Sequence, residues 1–60
     1  MFINLTNASE AFKGLPIAIK KDLIVTVHSN EDKSVTYIFV PPHGTWEVSE
    51  KYDEVIELLK

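Results

Sequence analysis

Apolar residues recur with a period of two over most of this chain and with a helical period only at its end. Residues 2–6 (FINLT) alternate loosely and predict a short first strand. Residues 7–13 (NASEAFK) break that alternation. Asn7 suits a helix N-cap, Ala8, Glu10, Ala11 and Lys13 favour helix, and Gly14 and Pro16 would end it. A single helical turn and an irregular loop fit this stretch equally well. Residues 16–20 (PIAIK) predict a second short strand, with its proline at the start, where a ladder tolerates one. Residues 23–28 (LIVTVH) and 34–40 (SVTYIFV) are β-branched runs on either side of the polar segment SNEDK, which predicts a β-hairpin. Pro41-Pro42-His43-Gly44 must end the second run, because two prolines cannot sustain a ladder. Residues 45–48 then form a short last strand.

The segment 46–60 (WEVSEKYDEVIELLK) carries the only helical periodicity. Ser49 suits the N-cap, and Tyr52, Val55, Ile56 and Leu59 form an i, i+3, i+4, i+7 stripe for burial. Glu50, Asp53 and Glu54 complement the positive end of the helix dipole, and Lys60 the negative end. The expected fold is α+β: a small antiparallel sheet or partly closed barrel of four to five strands with one C-terminal helix, all in a single domain.

The two central runs are apolar on both faces. Leu23, Val25 and Val27 share one side and Ile24, Thr26 and His28 the other. In the next run Val35, Tyr37 and Phe39 oppose Thr36, Ile38 and Val40. A sheet with one face in water should be polar there. One helix is about 10 Å across and covers roughly two strands, so the second face needs either barrel closure or a second subunit. Leu58 lies about 60° off the helix stripe and is expected to be partly exposed. These features predict a homodimer.

Composition sharpens this picture. Sixty residues without cysteine cannot use disulfides or thiolate zinc sites, and a chain this short buries only about 60% of its unfolded surface. Oligomerisation is then the expected remedy, and the lack of cysteine suits the cytoplasm. No apolar run approaches the roughly 20 residues of a membrane span, and the first residues do not read as a signal peptide. The net charge is −3, from six lysines against nine acids, with no arginine. Arginine is the usual bidentate ligand of phosphate and guanine, so the balance argues against nucleic acid. The alternative reading is a small nucleic-acid-binding regulator using Lys13, Lys20 and Lys21.

Little chemistry is legible. His28 and His43 with Glu31 and Asp32 match no metal-ligand spacing. Ser9, Ser29, Ser34 and Ser49 stand in no nucleophile setting, and His28 and Ser29 are merely adjacent. No catalytic residue, metal or cofactor is assigned, and the chain reads as non-enzymatic. The acids around the helix read as a solvated face. Trp46 follows the Pro-Pro-His-Gly turn and is expected to be half exposed, where it can anchor a partner. The expected function is a small protein-interaction or regulatory module that binds another protein through Trp46, His43 and Leu58.

Ile3 to Thr6, Ile17-Ala18-Ile19, Asp22-Leu23-Ile24, Val35 to Ile38, Trp46 to Glu50 and Asp53 to Ile56 together resemble the FlbD/SwrD-type flagellar and swarming-motility proteins. Residues 7–14 and 41–44 depart from that pattern. The resemblance implies a very small β-rich fold and offers no catalytic residues. A fainter likeness to the carbon storage regulator family implies a dimer. The arginine that binds RNA near the last strand of that family has no counterpart here, so its RNA function does not carry over. Size and composition also resemble short accessory proteins of phages and mobile elements.

Overall fold

The structure, a computed structural model, describes all residues from Met1 to Lys60. Strand β1 (Phe2–Thr6) pairs antiparallel with β2 (Pro16–Lys20), placing Ile3 opposite Ile19 and Leu5 opposite Ile17. Alternation turns Ile3, Leu5 and Ile19 inward and leaves Phe2, Asn4 and Ala18 exposed. The connection between these strands is an irregular loop without a helix. Asn7 caps nothing there. Its backbone N–H donates to the Leu15 carbonyl at 2.8 Å, its own carbonyl accepts from Gly14 at 2.9 Å, and it forms a bridge with Val48. Asn7 thus prolongs β1 by one rung, and Gly14, at φ +85°, supplies the left-handed turn that closes the loop.

After β2 the chain turns through a 3-10 segment (Lys21–Leu23). Strand β3 therefore spans only Thr26–Ser29, shorter than its apolar run, and Leu23 and Val25 stay outside it and exposed. β3, β4 (Thr36–Val40) and β5 (Gly44–Val48) form a three-stranded antiparallel sheet in that order. The expected β3–β4 hairpin is present. Its polar loop is held by Asn30 Oδ1, which accepts from the Val35 N–H at 3.1 Å, and by Asp32 Oδ1, which accepts from Ser34. Three residues, Pro41 to His43, link β4 to β5. The His43 N–H donates to the Val40 carbonyl at 2.9 Å, and Gly44, at φ +110°, takes the backbone that no other residue adopts without strain.

The two sheets meet at one corner, where the Ala8 N–H donates to Glu47 and the Ser49 N–H to Thr6, each at 2.9 Å. They do not close into a barrel. The core lies between them: Ile3, Leu5 and Ile19 from one sheet, Ile38, Val40 and Val48 from the other, and Val55 from the helix α1 (Tyr52–Leu59). The first hairpin, more than the helix, therefore covers the inner face of β3–β4–β5.

The packing decides which face of β4 is buried, and it moves the helix start. The inner face of β4 is Thr36, Ile38 and Val40, and the wholly apolar set containing Tyr37 and Phe39 points away from the core. Thr36 is admitted because its buried hydroxyl donates to the Glu50 carbonyl at 2.7 Å. The helix begins two residues later than a cap at Ser49 would place it. Lys51 stands at its N-cap, and the Glu54 carboxylate accepts from the Lys51 N–H at 3.3 Å. Glu50 therefore lies ahead of the helix, and its first-turn acids are Asp53 and Glu54. Within the stripe Val55 is fully buried, Ile56 and Leu59 are half buried, and Tyr52 is exposed. No helix is long and apolar enough to cross a membrane.

Candidate functional site

β2 is an edge strand, since it pairs with β1 alone. Beside it runs a groove of about 290 Å³, near the low end of the roughly 300–1,000 Å³ of small-molecule sites. Core side chains form its floor: Ile17 and Ile19 from β2, Val40 from β4 and Trp46 from β5. Trp46 is half buried, because its position on β5 faces inward opposite Ile38 yet reaches the margin of the core. Lys20 and His43 line the groove as its only charged or titratable residues, and no carboxylate does. Phe2, directly across from Lys20, and Leu23 complete the end where β2 runs into the 3-10 turn.

The structure thus brings two of the three expected partner residues, Trp46 and His43, into one hollow. Leu58 is exposed, as its angle on the helix requires, but lines neither this groove nor the second large one. That second hollow, about 440 Å³, lies between the helix and the start of β3, with Ile56 and Leu59 on one side and Ile24, Val25 and Val27 on the other. Lys21 and Asp22 add a charge of each sign to it.

The lysines of the alternative reading do not converge. Lys13 is in the loop joining β1 to β2, and Lys20 is at the far end of β2, four strand residues (about 13 Å) beyond Pro16. Lys21 Nζ is engaged by the Lys60 carbonyl at 3.1 Å. The histidines also stand apart. His28 stacks on Tyr37, with ring centroids 5.1 Å apart, on the outer face of the three-stranded sheet, and His43 is in the β4–β5 turn. No three His, Asp or Glu side chains are grouped to hold a metal ion. The Asp32 carboxyl is held below its ordinary value of 3.8 by the Ser34 hydroxyl at 2.7 Å, then by the Ser34 N–H at 3.0 Å. These bonds hold the loop in shape. They do not point at a reaction centre.

Glu50 is the residue whose role the sequence did not show. Counted there among the solvated acids, it is half buried. Its two carboxylate oxygens accept from the Thr6 N–H at 2.8 Å and the Thr6 hydroxyl at 2.9 Å. With the Thr36 bond it ties β1 and β4 to the start of the helix. Nothing in the local pattern WEVSEK marks this, because both partners are more than ten residues away. No family model, curated protein or solved structure matches this chain.

Proposed function

We propose that this chain is a non-enzymatic protein-interaction module that binds another protein through the groove beside β2. The observation that supports this most is the groove itself. It joins an apolar floor to an accessible indole and a histidine, beside a strand with one unpaired edge. Half-exposed tryptophans with an apolar surround are frequent anchors at protein interfaces. A pull-down with purified tagged protein tests the reading. Partner capture is expected to be lost in Trp46→Ala and weakened in His43→Ala, a surface change that leaves the core alone. Capture retained in both variants would remove the groove from the interface. A gel shift at low salt tests the nucleic-acid alternative, since such binding is strongest there. The scattered lysines support no shift.

A homodimer is the second reading, and a different surface favours it. The outer face of β3–β4–β5 carries Tyr37, half buried beside His28, and Phe39, 38% exposed, and neither belongs to the core. A second copy seated there would leave the β2 groove open for the partner.

A further inference from the structure

Two observed bonds fix which backbone groups of β2 are spent. The Lys21 N–H donates to Met1 and the Asn7 N–H donates to Leu15, both in the same β1–β2 register. In an antiparallel pair the bonded residues alternate. Ile17 and Ile19 therefore bond to β1, and the N–H and C=O groups of Ala18 and Lys20 point to the free edge. That edge borders the apolar groove. Unpaired strand groups beside pockets for alternate side chains are the geometry of strand addition. Resting on the groove reading above, we propose that the free edge of β2 takes an extended segment of the partner as an added strand, an apolar segment that bears a carboxylate.

Charge selects this occupant over a second copy. Lys20 and His43 line the groove without any acid, although the chain as a whole carries −3. Two copies of β2 paired antiparallel about Ile19 would set their Lys20 side chains on one face at diagonal positions, about 7–8 Å apart, and like charges at that range repel. Pairing about Ala18 would place Lys20 opposite Pro16, which has no N–H to give. Lysine and proline are the usual guards of an edge against self-pairing. A foreign strand with Asp or Glu near Lys20 meets neither obstacle.

The chain is short enough for chemical synthesis, which allows the edge to be tested at one atom. The probe is a displayed library of random 12-residue peptides, with the enriched peptides then labelled with a fluorophore and measured by fluorescence anisotropy, a readout that does not depend on Trp46. Enriched sequences are expected to alternate apolar residues and to carry Asp or Glu. N-methylation of Ala18 removes one outward donor and leaves the β1–β2 bonds intact, and it is expected to weaken binding about tenfold. Lys20→Glu is expected to weaken it as well. Peptides that bind the N-methylated chain equally well but fail on Trp46→Ala would overturn strand addition and leave the groove reading standing. Peptides that bind all variants equally, or no enrichment at all, would overturn both. Enrichment of basic peptides would overturn the charge assignment. A dimer in light scattering that dissociates on Ala18 N-methylation would show that the second copy is the occupant.

Discussion

Glu50 and Asp32 are both acids in polar surroundings, yet they do different things. Glu50 holds Thr6 with both carboxylate oxygens, and its carbonyl takes the Thr36 hydroxyl. Glu50→Ala is expected to cost about 1–3 kcal/mol, because it strands a half-buried N–H and hydroxyl. Glu50→Gln keeps an acceptor for the N–H and a partner for the hydroxyl, and should restore most of that stability. Urea unfolding of the two variants checks this, and equal losses would show that the negative charge matters more than the bonds. Asp32 is fully exposed, and its lowered pKa reflects bonds from Ser34 that favour the charged form. A depressed carboxyl stabilises the fold above its unfolded value and loses that contribution as pH falls through the folded value. Stability should therefore drop below about pH 3.8 in the native chain and less so in Ser34→Ala, as measured by thermal melts across that range. Neither role was legible in sequence. Asp32 read as one acid of a polar loop that matched no metal-ligand spacing, and Glu50 resembled its solvated neighbours.

At the scale of elements, the ends were harder to read than the elements themselves. Five strands and one helix follow from alternation, β-branching and the closing periodicity. Ser49 was the better cap by residue type, but its N–H donates to Thr6 and the helix starts at Tyr52 with Lys51 as its N-cap, two residues later. Ser49→Ala is accordingly expected to change stability by less than about 0.5 kcal/mol, where loss of a true cap would cost about 1 kcal/mol. Denaturation midpoints separate the two values. The β4–β5 turn behaves oppositely. Gly44 sits at φ +110°, and Gly44→Ala should destabilise by about 1 kcal/mol or more although its Cβ would meet no atom. The short β3 has a related cause: the 3-10 turn after β2 consumes residues that propensity alone would place in a strand.

For the whole molecule, only seven apolar residues form the buried core, and large apolar side chains such as Phe2, Val25 and Phe39 remain outside it. Ile38, wholly buried at its centre, is the most sensitive position. Ile38→Val should cost about 0.5–1.5 kcal/mol and Ile38→Ala about 2–5 kcal/mol, a large share of the roughly 3–9 kcal/mol typical of a chain this size. Phe39→Glu probes the outer face. If a second copy covers it, light scattering at micromolar concentration should shift from dimer to monomer without loss of fold. A wild-type chain that is already monomeric would end that reading. The sequence by itself determined the strands and the closing helix, their order, the hairpin, and that Trp46 would be half exposed. These depend on local periodicity, turn chemistry and side-chain size. Only the tertiary structure decided which face of β4 is buried, that the first hairpin supplies the missing layer, and that Trp46 and His43 share a groove while Leu58 stands apart. Those outcomes depend on contacts between residues far apart in the chain, and local pattern leaves such contacts open.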